Sequence, residues 1–171
     1  KSSDLVSLPP NWLRLIGASK MALMVGTLEP RKGYGQIISM FDQLWSQGID
    51  DCLVIVGKRG WKVDRLVKQL EQHPMRNKNL FWIEDADDHL LQSLYGRAHF
   101  LIAASYGEGF GLPLVEANSK GLPIFARDIE IFREAIGKHA FYFKANNTVE
   151  LCNEYEAFKK SIVASSFSNS R

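Results

Sequence analysis

Met21-Ala22-Leu23-Met24-Val25-Gly26-Thr27-Leu28-Glu29-Pro30-Arg31-Lys32-Gly33 opens as a short apolar run, breaks at a glycine, passes through two adjacent cations and leads into a helical pattern. The run Met21 to Val25 reads as a strand, and Ile37, Phe41, Leu44 and Trp45 behind the loop recur at the spacing of one buried helix face. Outward from this unit the same alternation continues. Strand-like runs at Leu53 to Val56, Leu80 to Ile83, Phe100 to Ala103, Ile124 to Phe125 and Phe141 to Phe143 are separated by further helical faces. Those faces are Val63, Leu66, Val67 and Leu70, then Leu90, Leu91, Leu94 and Tyr95, and finally Leu151, Tyr155, Phe158 and Ile162 behind a candidate N-cap at Thr148. Parallel neighbours need crossover connections and helices supply them. The alternation therefore predicts an α/β fold, a Rossmann-like doubly wound parallel sheet with helices on both faces.

The bulk numbers suit one domain with a full core: 171 residues, 46% of them hydrophobic and 11% aromatic. With 21 basic against 19 acidic residues the net charge is +2, too balanced to argue for nucleic acid or an anionic membrane surface. Any basic function must be local. Cys52 and Cys152 lie in apolar runs and read as buried thiols rather than a disulfide framework, which favours a reducing, cytoplasmic setting. No apolar stretch approaches the ~18 residues that span a bilayer, and no signal-peptide pattern opens the sequence. A first residue of Lys1 rather than Met is what a piece of a longer protein would show. Residues 1–20, with Leu8-Pro9-Pro10, read as an interdomain connection or edge segment; residues 21–163 form the domain; residues 164–171 read as a frayed Ser-rich tail.

In doubly wound folds ligands bind beyond the carboxyl ends of the strands, so the loops after Val25, Val56, Ile83 and Ala103 are where chemistry is expected. The loop Gly26 to Gly33 has the makings of a phosphate site: Arg31 offers a planar fork, Lys32 a point charge, and the following helix start a partial positive charge. A unit charge pair ~4 Å apart is worth about 4 kcal/mol at an effective dielectric near 20, so two cations can hold a diphosphate without a metal. The competing reading is a solvated basic pair, since the glycine pattern is not a Walker loop. The second loop, Val56-Gly57-Lys58-Arg59-Gly60-Trp61, repeats the theme: Gly57 could let a ligand near the backbone, Lys58 could assist at a phosphate, and Trp61 reads as a packing residue. Glu84-Asp85-Ala86-Asp87-Asp88 precedes a helix and reads as capping. His73, His89, His99 and His139 show no ligand spacing, and Ser105 stands in no nucleophile elbow. Roles for Asp128 and Glu134, around a short helix, are not readable from spacing.

The fourth loop carries the densest pattern, Glu108-Gly109-Phe110-Gly111-Leu112-Pro113-Leu114-Val115-Glu116. Gly109 and Gly111 permit a sharp turn and close approach, and Pro113 suits the first turn of a helix whose free N–H groups face a ligand. Glu108 in the turn can accept from hydroxyls, and Glu116 on the helix can reach a second part of the same ligand. A polyhydroxylated anion fits both. Two carboxylates about a reacting bond also fit hydrolytic acid/base work, which the nearby phosphate-type loop disfavours. The plain alternative is one helix-start carboxylate and one solvated helix carboxylate.

Together these elements resemble the retaining glycosyltransferases of family 4, specifically the C-terminal, donor-binding domain of their GT-B fold, over roughly Met21 to Phe143. The resemblance rests on the Glu-x7-Glu stretch, on the loop Gly26 to Gly33, and on Val56-Gly57. It also rests on Leu94-Tyr95-x-x-Ala98, Gly121-Leu122-Pro123-Ile124 and Phe132-Arg133-Glu134-Ala135-Ile136-Gly137, all in the family's order. It implies catalytic roles for Glu108, Arg31 and Lys32. It implies donor contacts at Gly26, Arg31, Lys32, Gly57, Lys58, Ile83, Glu108, Gly109, Phe110, Gly111, Leu112 and Glu116. Glu108 would bind hydroxyls of the donor sugar, Glu116 the ribose, and Arg31 and Lys32 the diphosphate leaving group. The base would lie near Gly57 and Trp82-Ile83-Glu84.

The same resemblance implies transfer with retained configuration, no obligatory metal or other cofactor, and a nucleotide-diphosphate sugar donor, with GDP-mannose the first guess from Gly-Thr-Leu-Glu-Pro-Arg-Lys. The acceptor would be a polysaccharide or lipid-linked glycan, held by an N-terminal domain outside these residues, without which the chain would not turn over. The setting would be cytoplasmic, at the inner face of the membrane if the whole protein associates with it peripherally. Two departures from the family stand out: Thr27 where many relatives carry arginine, and Ala104-Ser105 where many carry Pro-Ser. Alternatives are a GT-B sugar-nucleotide epimerase or hydrolase, and a non-catalytic nucleotide-binding module.

Overall fold

The computed structural model describes residues 20–169. Six strands run in the order β1 (Met21–Val25), β2 (Cys52–Val56), β3 (Leu80–Ile83), β4 (Phe100–Ala103), β5 (Ile124–Arg127) and β6 (Phe141–Phe143). They alternate with α1 (Tyr34–Ser46), α2 (Asp64–Gln72), α3 (Asp88–Arg97), α4 (Leu112–Ser119), α5 (Glu130–Ile136) and α6 (Thr148–Ser168), and a 3-10 turn at Pro30–Lys32 precedes α1. Every pairing is parallel, and the sheet order is β3-β2-β1-β4-β5-β6. This is the doubly wound sheet that the alternation predicts. Strand order reverses between β1 and β4, and there the two following loops diverge to open a crevice at the strands' carboxyl ends.

Successive residues of each strand point to opposite faces, and both faces are covered, so the strands are apolar without alternation. Ala22, Met24, Leu53 and Ile55 pack with α1, α2 and α6 through Ile37, Phe41, Val67 and Tyr155. On the other face Leu23, Val54 and Val56 meet Leu94, Tyr95, Leu114 and Phe132 from α3, α4 and α5. Full burial of side chains this size stabilises by roughly 1.5–3 kcal/mol each, before the entropy of ordering them is set against it. Near β6 the core is aromatic: Phe125 stacks on Phe143 with centroids 4.6 Å apart and on Phe158 at 5.2 Å.

Four details differ from the sequence reading, the first being that β2 starts at Cys52, one residue ahead of the expected Leu53. The N-cap of α6 is Asn147, whose side chain accepts from the Glu150 N–H at 2.9 Å, and Thr148 is the first helical residue. The Ser-rich stretch stays helical through Ser168, with Ser161, Ser165, Ser166 and Ser168 each donating their hydroxyl to the carbonyl three residues back. Strand β5 runs on to Arg127, a polar residue that no apolar pattern could include. The Leu8-Pro9-Pro10 segment lies outside the described residues. Among the described residues no helix is long and apolar enough to cross a membrane.

Candidate functional site

Glycines bring the loops together. Gly33 has φ 72°, and a Cβ built on it would lie 2.3 Å from the Ala104 carbonyl oxygen, so only glycine lets the β1–α1 loop touch the end of β4. Tyr106 N–H then donates to the Arg31 carbonyl at 2.8 Å, joining the loop after β1 to the loop after β4. At Gly57 a Cβ would meet the Gly26 carbonyl oxygen at 1.8 Å. On its Cβ side Gly57 is thus packed against the neighbouring loop. Gly26 N–H donates to Val56 O, Leu28 N–H to Lys58 O and Gly57 N–H to Ile83 O, each within 2.9–3.0 Å, so three strand ends form one rim.

On that rim the predicted charges meet. The Lys32 Nζ lies 2.5 Å from Glu108 Oε1, and Arg31 Nη1 lies 3.3 Å from Glu108 Oε2 and 2.8 Å from the Gly107 carbonyl oxygen. The Ser105 hydroxyl donates to Glu108 Oε1 at 2.6 Å. Burial pushes the Glu108 carboxyl up, but hydrogen bonds from Lys32 and Ser105, with the charges of Lys32 and Arg31, outweigh it and hold the group below the usual carboxylate range. Arg31 is steered from its other side by Glu29, whose Oε2 accepts from Nε at 2.8 Å, and that hydrogen bond raises the guanidinium pKa further. Tyr34 donates its hydroxyl to the Gly26 carbonyl at 2.5 Å; burial, followed by the charges of Glu108 and Glu29, pushes its phenol up, so it stays a neutral donor. Lys32 is largely buried and Arg31 roughly half exposed, giving one cation fixed in the floor and one at the lip.

Helix α4 starts beside this cluster. Gly111 is its N-cap, with φ 64° and no side-chain cap, so the N-terminal N–H groups face the crevice. Gly109, Phe110 and Leu112 lie on the exposed turn, Phe110 80% and Leu112 70% exposed. One turn into the helix, Glu116 Oε1 accepts from Gln92 Nε2 at 2.6 Å. Beside it the Tyr95 hydroxyl is buried without a partner of normal hydrogen-bond geometry, and burial and the Glu116 charge push its phenol up.

The second and third loops contribute less. Lys58 is exposed and Arg59 pairs with Asp64 at 2.9 Å. The Ile83 carbonyl is engaged by Gly57, and Trp82 Nε1 donates to the Gly57 carbonyl at 3.0 Å, which fixes the wall expected to face a base. Trp61, read from sequence as a packing residue, is 60% exposed with Lys62 Nζ 5.3 Å above its ring; the chain turns outward here through Lys62 at φ 53°. Asp87 caps α3 as expected, accepting from Leu90 N–H at 2.7 Å. Asp128 accepts from Arg133 at 2.5 Å within its own segment, away from these contacts. Among the described residues no three His, Cys, Asp or Glu side chains gather as a metal site.

Of the residues singled out from sequence, Arg31, Lys32 and Glu108 meet and Glu116 stands one turn into α4, while their partners Glu29, Ser105 and Gln92 were not foreseen. Only Glu29 and Ser105 carried a signal, each lying within three residues of the charge it touches.

The description "Glycosyl transferases group 1" matches residues 13–162. The chain belongs to the group 1 glycosyltransferases. Among curated relatives, a serotype-specific mannosyltransferase WbdA of Escherichia coli is 46% identical over 152 residues, covering 87% of this chain and 19% of the relative. O-antigen chain mannosyltransferase B of Escherichia coli is 32% identical, covering 68% of this chain and 30% of the relative. The chain thus spans about a fifth to a third of the length of these relatives. Of solved structures, the C-terminal domain of the group 1 glycosyltransferase LpcC from Francisella tularensis superposes with a TM-score of 0.68 at 17% identity, over 90% of this chain and 84% of that one. Anabaena Alr3699/HepE in complex with UDP and glucose gives 0.71 at 22% identity, over 95% of this chain and 43% of that one. These likenesses show the fold: this group 1 domain has the architecture of a GT-B C-terminal half.

Proposed function

We propose that this domain binds the donor for a retaining mannosyltransferase that extends a polysaccharide or lipid-linked glycan in the cytoplasm. The donor is a nucleotide-diphosphate sugar, GDP-mannose by preference, seated across the crevice between β1 and β4. The observation that carries this reading is the joint hold of Lys32 and Arg31 on Glu108. It sets two diphosphate-binding cations against the carboxylate that accepts from sugar hydroxyls.

The bond to Glu108 uses one of the three Lys32 donors, leaving two for phosphate oxygens, while Arg31 at the lip meets the outer phosphate with its remaining N–H groups. As the glycosidic bond breaks, negative charge grows on the leaving diphosphate, and fixed cations in a part-buried site stabilise that charge without reorganising. Positive charge from Arg31, Lys32 and the α4 N-terminus serves where a metal otherwise would. Glu108 is ionised at neutral pH and accepts from the sugar. Glu116, steadied by Gln92, accepts from the ribose. The β2 and β3 ends at Gly57 and Ile83 flank the base, and Lys58 reaches the phosphates from the adjacent loop. Mannose as the transferred sugar is supported by the 46% identity to a mannosyltransferase. The reacting end of the acceptor is held by a further domain, at the inner membrane face in the assembled enzyme, so this domain alone binds donor but does not turn over.

Calorimetric titration with GDP, UDP, GDP-mannose and UDP-glucose tests the reading. Saturable binding of GDP and GDP-mannose is expected. Failure of all four to bind at millimolar concentration, or measurable transfer to a simple acceptor by this chain alone, would contradict it.

A further inference from the structure

Behind the β1–α1 loop, on the side away from Glu116, an open cavity of about 660 Å³ lies between the first turn of α1 and the first turns of α2. None of the donor contacts proposed above accounts for it, yet it shares a wall with the crevice. Glu29 and Gly33 line it, and so does Tyr106, whose N–H is bonded to the Arg31 carbonyl at 2.8 Å. Its volume falls within the roughly 300–1,000 Å³ of small-molecule sites.

The lining is built rather than incidental. Gln36 is fixed at three points: its Nε2 donates to the Ala145 carbonyl at 3.3 Å, and its Oε1 accepts from Arg127 and from the Tyr106 hydroxyl at 3.4 Å. The Arg127 guanidinium, itself buried, sits 3.9 Å from the centroid of the Tyr106 ring, so the ring is held in place from behind while it remains 56% exposed. Ser39 on α1 and Gln69 on α2 place a hydroxyl and an amide on the facing walls. Lys62 stands at the rim in a left-handed backbone conformation, φ 53°, which a non-glycine residue adopts at a cost and which clusters at binding sites.

A supported aromatic face among amides and hydroxyls suits a polyhydroxylated ligand, since the ring takes the apolar side of a sugar and the amides exchange hydrogen bonds with its hydroxyls. Glu29 in the same wall is already paired with Arg31 at 2.8 Å, and Lys62 and Arg65 complete a lining with charges of both signs. We infer that this cavity holds the acceptor glycan, with Tyr106 as the stacking platform and Gln69 and Ser39 as hydroxyl partners, so that the growing chain reaches the donor sugar past the shared Glu29–Tyr106 wall. The inference rests on the transferase reading above. It goes beyond it in giving this domain a hold on the stretch of the acceptor behind its reacting end.

The test is titration of the chain with mannotetraose, with GDP as the control ligand, on wild type, Ser39→Trp, Gln69→Ala and Tyr106→Ala. Ser39 is exposed on the cavity wall, so tryptophan there fills the space without touching the core. The expected result is saturable mannotetraose binding that weakens by about tenfold or more in Ser39→Trp and Tyr106→Ala. Ser39→Trp and Gln69→Ala should hold their GDP affinity within about twofold, which also shows that they are folded. GDP binding without mannotetraose binding overturns the acceptor site alone, as does mannotetraose binding that Ser39→Trp leaves unchanged. Loss of GDP binding in wild type overturns the donor reading, and the acceptor site falls with it.

Discussion

At Gly33 the backbone and its neighbour leave no room for a side chain: φ is 72°, and a Cβ would overlap the Ala104 carbonyl. Gly33→Ala must move either the β1–α1 loop or the end of β4, and the pair Lys32–Glu108 spans both. We expect a loss of roughly 3 kcal/mol or more in stability, read from the urea midpoint, with nucleotide binding lost in parallel. Glu108 offers a pH signature. Its folded pKa lies below that of an unfolded carboxyl, so its pairing adds stability that is full above the unfolded value and is lost as pH falls through the folded one. Glu108→Gln should therefore be less stable than wild type at neutral pH, and the gap should close as pH falls from the unfolded carboxyl value through the lower folded one in urea titrations. A gap independent of pH would mean that the Lys32–Glu108 contact contributes nothing. The sequence could mark Glu108 and Lys32 as candidates because both stand in glycine-bounded loops. It could not pair them across 76 residues, nor reveal that Glu29 and Ser105 complete the cluster.

Among the elements, α6 depends most on a polar contact. Asp51, buried just ahead of β2, accepts from the Tyr155 hydroxyl at 2.8 Å and from Lys159 Nζ at 2.9 Å, fastening the long last helix to the start of a central strand. Removing the carboxylate leaves the buried Tyr155 phenol without its acceptor and Lys159 with Glu156 alone, 3.2 Å away. Asp51→Ala should cost about 3 kcal/mol and increase amide exchange along α6 more than along α3. Uniform exchange across both helices would show that Phe158 and its aromatic neighbours hold α6 without the ion pair. The strands β1, β3, β4 and β6 were legible to the residue, because each is an apolar run bounded by polar or glycine positions. Where the reading slipped, features outside hydrophobic pattern were involved: Arg127 extends β5 because β6 pairs with it, and α6 runs on through serines that satisfy their hydroxyls on carbonyls of the preceding turn. Trp61 was misplaced for a similar reason, since aromatic content predicts burial on average but the loop turns it outward.

For the whole molecule, the strand order places the site. The doubly wound order separates the loops after β1 and β4, and the two motifs that look most like chemistry in the sequence are the two that flank the opening. Charge is nearly balanced at +2, so binding of a nucleotide diphosphate depends on local concentration of cations and not on a global field. What the alternation of strands and helices could not convey is the cavity beside the crevice, which forms where the loops carrying Tyr106 and Lys62 meet α1 at Gln36.

The central claim is that Arg31 and Lys32 hold the diphosphate while Glu108 reads the sugar. It is tested most directly by comparing the affinities of GDP and GDP-mannose in wild type, Arg31→Ala and Glu108→Ala by calorimetry. The account predicts that Arg31→Ala weakens both ligands alike, by about 2 kcal/mol or roughly 30-fold. Glu108→Ala should abolish the preference for GDP-mannose over GDP. A Glu108→Ala variant that keeps the full preference, or an Arg31→Ala variant that binds both ligands as wild type does, would contradict it.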